Sequence, residues 1–153
     1  MESVIRAEHT VVIERPIAEV FAYLSNGLND PAWRDGIVSI KRISDFDGVG
    51  AMYEQTVSGL GGTSVRSDYF IDEYEPPQMF SYRVTAGPVR PTGRFDLSET
   101  AAGHTTVRST LEVDTSLATR LLRRMIESEF NDEVRRIEVL KRVLEQSPAE
   151  PGS

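Results

Sequence analysis

Glu129 and Glu133, one helical turn apart, are the residues of this sequence best placed to do chemistry. At about 100° per residue they share one sector of a helix with Leu122, Ile126, Phe130, Ile137, Leu140 and Leu144. Glu127 and Asp132 point elsewhere. A carboxylate on an apolar face needs a counter-ion, a raised pKa or water. In such a place it suits a ligand hydroxyl or amine, or the work of a general base. The plainer reading is an open cavity mouth, or an arginine from the sheet or the same helix paired with each glutamate.

Aromatic residues supply a second set. In their strands Tyr53, Tyr69 and Tyr82 fall on the apolar alternates, and Gln55 and Ser109 share those phases. A tyrosine on a half-buried sheet offers a ring for stacking and one hydroxyl for hydrogen bonding. Core packing with the hydroxyl at a rim competes with this for each tyrosine taken singly. Trp33, the only tryptophan, reads as an entrance lid or as a plug closing the open end of a curled sheet, and the plug is the simpler. Met125 lies at the edge of the helical stripe, where a flexible thioether fills gaps. The expected ligand-binding set is therefore Trp33, Tyr53, Gln55, Tyr69, Tyr82, Ser109, Met125, Glu129 and Glu133.

Other chemistries find no complete motif. With no cysteine, thiolate catalysis, disulfides and cysteine zinc sites are excluded. His9 and His104 have no partner at metal spacing, so no metal is expected, and no cofactor motif occurs. Gly59-Leu60-Gly61-Gly62 lacks the Lys-Ser/Thr and helix of a phosphate cradle, and no serine sits in a Gly-x-Ser-x-Gly elbow. The formal charge of −7 opposes binding to a phosphate backbone or an anionic membrane surface. Arg120, Arg123 and Arg124 read as a solvated basic face. Residues Met1 to Thr10 lack an apolar signal core and no apolar run is long enough to span a bilayer, so a cytoplasmic location is expected by elimination.

The elements that must position these residues follow from periodicity. Ala7, His9, Val11 and Ile13 alternate in a strand over Arg6–Glu14, and Arg15-Pro16 ends it. Ile17, Val20, Phe21 and Leu24 make one stripe of a short helix, closed by Ser25-Asn26-Gly27. A second short helix is expected over Asp30–Arg34, with Asp30 as cap and Pro31 at its first position. Strands follow over Ile37–Ile43, Ala51–Ser58, Ser64–Glu75, Met79–Ala86, Thr92–Thr100 and Thr105–Asp114, separated by Gly- and Pro-rich turns. From Ser116, as cap, to Gln146 the period becomes helical with no internal Gly or Pro, and Ser147-Pro148 stops it. Residues 1–147 read as one domain and 148–153 as a loose tail. The class is α+β: an antiparallel sheet of about six or seven strands with a long C-terminal helix.

The order of these features resembles a known superfamily. Ile13 through Phe21 gives strand, proline and helix; Trp33 follows in a second short helix. Tyr74-Glu75-Pro76-Pro77 and Gly103-His104-Thr105-Thr106-Val107 come next, and a long helix ends the chain. The chain resembles the START-like (SRPBCC) superfamily, most closely its small bacterial members of the polyketide cyclase/dehydrase type, over Ala7 to Leu144. The resemblance implies a helix-grip fold, in which the sheet curls around the long helix and leaves a cavity. It also implies small apolar or amphipathic cargo, polyketide- or lipid-like, and catalysis in only some members. The expected function is binding of such a molecule. A cyclase or dehydratase using a cavity Glu or Tyr is the alternative, and an interaction module with a filled core the third. The sequence leaves a homodimer open.

Overall fold

The computed structural model describes residues 4–116 and 118–146. Strand β1 (Val4–Ile13) is followed by α1 (Ile17–Leu24) and a 3-10 helix, Gly27–Ala32. Strands β2 (Ile37–Arg42), β3 (Met52–Ser58), β4 (Ser64–Arg66), β5 (Tyr69–Glu75), β6 (Met79–Val84), β7 (Thr92–Glu99) and β8 (Thr105–Asp114) come next. Helices α2 (Arg120–Arg135) and α3 (Ile137–Gln146) end the described chain. The expected tail, 148–153, lies outside the described residues.

The strands run in the order β1-β8-β7-β6-β5-β3-β2, every pairing antiparallel, with β4 added to β3. Hairpin neighbours in sequence are neighbours in space from β5 to β8. The long return places β1 beside β8, in register from Val4 with Asp114 to Ile13 with Thr105. One face is apolar, as the alternation requires. Ile5, Ala7, Val11 and Ile13 of β1 are buried, and so are Val107 and Leu111 of β8. Arg83 and Arg94 lie on the outer face, bound to Asp72 and Asp96.

Three elements depart from the sequence expectation. The helix-forming C-terminal segment starts later, at Arg120, with Thr119 as N-cap accepting from Leu122 N at 3.2 Å. Ser116 is held instead in a turn, its N–H donating to the Asp114 carboxylate at 2.9 Å. The expected long C-terminal helix is present from Arg120 to Gln146, with one irregular turn at Arg136 that divides it into α2 and α3. The second short helix is a 3-10 helix capped by Asn26, which accepts from Leu28 N, and Asp30 is buried inside it rather than capping it. The segment Ser64–Glu75 is two strands, because Ser67 and Asp68 leave the ladder. There the Asp68 carboxylate accepts from Gln55 N at 3.0 Å, and its carbonyl accepts from Thr85 N at 2.7 Å.

The two C-terminal helices meet the sheet differently. Ile137, Leu140 and Leu144 of α3 are fully or almost fully buried in the main core with Val11, Ile13, Val20, Phe21 and Phe80. Only Ile126, Phe130 and Val134 of α2 are buried, in a smaller cluster with Ile5, Ala7 and Leu111. Tyr82 of β6 packs against the same cluster, and a cavity of about 350 Å³ lies between α2 and the concave face.

Candidate functional site

The cavity has an apolar body and a polar end. Ile71, Phe80, Val84, Phe95 and Leu111 line it from the sheet, and Ile126 and Phe130 from α2. Pro88, Val89 and Pro91 of the β6–β7 loop and Gly59 and Thr63 of the β3–β4 turn border it as well. Its volume is within the range for sites that take small organic molecules.

An aromatic row runs along the floor. Tyr53 stacks on Tyr69 with ring centres 5.0 Å apart, Tyr69 meets Tyr82 at 5.4 Å, and Tyr82 meets Phe95 at 6.2 Å. Trp33 closes edge-on against Phe95 at 6.4 Å. Two glycines make room for this row. Gly93 stands opposite Tyr82 across the β6–β7 ladder, and a Cβ on it would overlap the Tyr82 ring. A Cβ on Gly27 would strike the Tyr69 hydroxyl. Each glycine thus lets a tyrosine lie flat where a side chain would displace it.

The polar end centres on Arg34, which leaves the 3-10 helix and points into the cavity wall. Its Nε donates to Glu133 at 2.5 Å. Its Nη1 donates to Asp30 at 3.1 Å and to Gln55 Oε1 at 3.0 Å. Its Nη2 makes no hydrogen bond to any described residue. Glu133 is held a second time by Arg136 Nη1 at 2.8 Å, and Arg136 Nε reaches Asp35 at 3.0 Å. Gln55 is fixed from behind by its amide, which donates to Ser67 O at 3.2 Å. The orientation of Arg34 is therefore set by three acceptors on three elements.

These contacts shift the acids and bases in definite directions. Burial pushes the Asp30 carboxyl up to about 6, against the opposing pull of Arg34. Burial works against the Arg34 charge, but Glu133 and Asp30 more than offset it and hold the guanidinium protonated. Burial raises the Tyr69 and Tyr82 hydroxyls, so both stay protonated at neutral pH and can donate a hydrogen bond. Neither hydroxyl is bonded to another described residue. Asp30 Oδ1 and Trp33 Nε1 are buried with no partner of good hydrogen-bond geometry, although the indole lies near enough to pull the Asp30 pKa down slightly.

The residues singled out by sequence fall in different places. Trp33, Gln55, Tyr69, Tyr82, Ser109, Glu129 and Glu133 border the cavity together. Tyr53 does not. It sits behind Tyr69 in the core, accepting from Gly27 N at 3.4 Å, because the stacked ring in front of it takes the wall position. Met125 is 37% exposed on the outside of α2, one residue before the inward Ile126. Leu122, in the first turn of α2, is exposed too. Glu129 is exposed at the rim with no ion pair to a described residue, whereas Glu133 is doubly paired. Sequence reasoning did not single out Arg34, Asp30, Gly27 or Gly93 as parts of a site. The signals were an arginine four residues after a buried-helix aspartate, and a glycine inside the Thr92–Thr100 alternation.

A curled antiparallel sheet, a C-terminal helical segment across its concave face and a lined cavity between them define a helix-grip, START-like protein. The chain belongs to the polyketide cyclase / dehydrase and lipid transport family, which matches residues 4–145. Similar solved structures include the di-domain ARO/CYC BexL of the BE-7585A biosynthetic pathway, with TM-score 0.76 and 15% identity. That match covers 98% of this chain and 52% of BexL, so this chain spans about half the length of the di-domain protein. A START superfamily protein from Mycobacterium smegmatis has TM-score 0.75 and 15% identity, covering 92% of this chain and 97% of its own. Ara h 8.0201 has TM-score 0.64 and 15% identity, covering 92% and 99%. At this identity the likeness is one of fold. No curated protein matches the sequence. No described helix is long and apolar enough to cross a membrane.

Proposed function

We propose that this chain binds one small, largely apolar or aromatic molecule in the cavity between α2 and the sheet, without transforming it. The observation that carries this reading is the state of the carboxylates. Glu133 is committed to Arg34 and Arg136, and Glu129 is solvated at the rim, which leaves neither as a buried, unpaired base. What remains is an apolar chamber with a fixed set of donors at one end, the usual composition of a site that holds a ligand by shape and a few polar contacts. An interaction module would have a filled core, and the open chamber counts against that.

A second reading is cyclisation or dehydration of a polyketide-like substrate. Asp30 favours it, since a carboxyl on the cavity wall with a pKa of about 6 can take or give a proton near neutrality. Its pairing with Arg34 counts against it, and the acid on the same cavity without an ion pair to a described residue, Glu129, is exposed at the rim.

Native mass spectrometry of protein purified from its source cells tests the binding reading, with denaturation to identify any retained molecule. One retained small molecule, recovered unchanged after incubation, is expected. Bare protein that also fails to take up the neutral fluorophore phenylnaphthylamine contradicts it, and conversion of the retained molecule moves the assignment to the enzyme.

A further inference from the structure

The charges around the cavity restrict what its polar end accepts. Three arginines border it, Arg34, Arg66 and Arg136. Each is already bound to carboxylate: Arg34 to Asp30 and Glu133, Arg66 to Asp68, Arg136 to Glu133 and Asp35. Glu129 adds a further acid at the rim with no ion pair to a described residue. Among the described lining residues three arginines stand with three carboxylates, Asp30, Glu129 and Glu133, and Asp68 and Asp35 pair Arg66 and Arg136 from outside the lining, so no arginine offers an uncompensated charge. An anionic group brought into this chamber loses its water and meets no uncompensated positive charge.

The unused hydrogen-bonding capacity is nevertheless donor-rich. Arg34 Nη2 has no acceptor among the described residues, and neither do the hydroxyls of Tyr69 and Tyr82. Arg34, Tyr69 and Tyr82 line the same chamber, with the Tyr69 and Tyr82 rings 5.4 Å apart. An uncharged oxygen satisfies these donors without bringing a charge into a chamber whose arginines are already paired.

We infer, resting on the binding reading above, that the ligand presents an uncharged carbonyl or hydroxyl oxygen to Arg34, Tyr69 and Tyr82, and that the cavity discriminates against carboxylates and other anions. Free fatty acids and polyketide acids are thereby disfavoured relative to their ketone, phenol or ester counterparts.

Two fluorophores with the same fused rings test this: phenylnaphthylamine, which is neutral, and anilinonaphthalene sulfonate, which is anionic. Both are titrated against the intact chain and against Glu129→Gln. The neutral dye is more apolar in any case, so the variant is the decisive comparison. Removing one exposed, unpaired rim charge is expected to tighten the sulfonate by about 3- to 10-fold at low salt while moving the neutral dye by less than about 2-fold. A sulfonate that binds the parent chain as tightly as the neutral dye, or a ratio that does not move in Glu129→Gln, overturns the inference and leaves the binding reading intact. If neither dye binds, the binding reading itself fails and the inference falls with it.

Discussion

The two halves of the C-terminal helical segment carry similar apolar stripes and do opposite things. Helix α3 is sunk into the core and tied to β1 along its length. His9 bonds Glu138 at 2.8 Å, and Lys141 donates to Val12 O at 2.7 Å. Glu14 N donates to Glu145 at 2.8 Å, and Arg15 donates to Leu144 O at 2.9 Å. Helix α2 rests on β1 and β8 through three buried residues and borders an open chamber, with its cross-links made at its C-terminal end by Glu133 and Arg136. One half is a closed core and the other a roof. The lesson is that a helix of this fold is fastened at one end so that the other can stand off the sheet.

The comparison breaks or sharpens most readily at Leu140 and Phe130. Leu140→Ala leaves a void inside close-packed α3 and should cost about 4 kcal/mol in denaturant unfolding, the largest effect expected of a single truncation here. Phe130→Ala removes a larger side chain but one flanked by the chamber, and should cost only about 2 kcal/mol. Equal losses at the two sites would mean that α2 is packed as tightly as α3.

A second contrast is electrostatic, because the polar end of the α2 chamber buries an ionisable group. The Asp30 pKa is raised on folding from 3.8 to about 6. The protonated form is therefore the one the fold favours. Its contribution is fully present below about pH 4 and is lost as pH rises through about 6, amounting to about 3 kcal/mol. Asp30→Asn, which cannot titrate, should gain stability relative to the parent by about 2–3 kcal/mol between pH 4 and pH 7 in parallel urea melts. A constant difference across that range would mean that Asp30 is not buried as described.

Smaller effects separate wall from surface. Tyr82→Phe should change stability by less than about 1 kcal/mol while weakening a bound carbonyl ligand by about 5-fold, read by calorimetry. Met125→Ser, on the outer side of α2, should alter stability by no more than about 0.5 kcal/mol and leave ligand affinity unchanged. A marked loss of affinity in Met125→Ser would place the ligand outside the chamber.

Much of the fold was legible because it rests on periodicity. The alternation of Ala7, Val11 and Ile13, the Arg15-Pro16 stop and the apolar stripe from Ile126 to Leu144 each report burial directly. The inward phase of Tyr69 and Tyr82 followed from the same rule. What the alternation cannot carry is depth. Tyr53 and Tyr69 have the same phase, and only the stacking of one behind the other decides which ring meets the chamber. Periodicity also cannot distinguish a helix face that packs from one that roofs a void, so Leu122 and Met125 looked like core neighbours.

The polar end was hidden for a different reason. Arg34 lies just past a 3-10 helix, where no repeat reports orientation, and its partners Gln55 and Glu133 are remote in sequence. Gly27 and Gly93 act through what they lack, room for Tyr69 and Tyr82, and an absent side chain has no periodicity.

The most direct test of the account is an NMR titration of the isotope-labelled chain with phenylnaphthylamine. The account predicts shifts concentrated at Tyr69, Tyr82, Arg34, Ile126 and Phe130, with Ile137, Leu140 and Leu144 unmoved. Shifts confined to the exposed Leu121 and Met125 face, or spread along α3, would contradict a ligand chamber beneath α2.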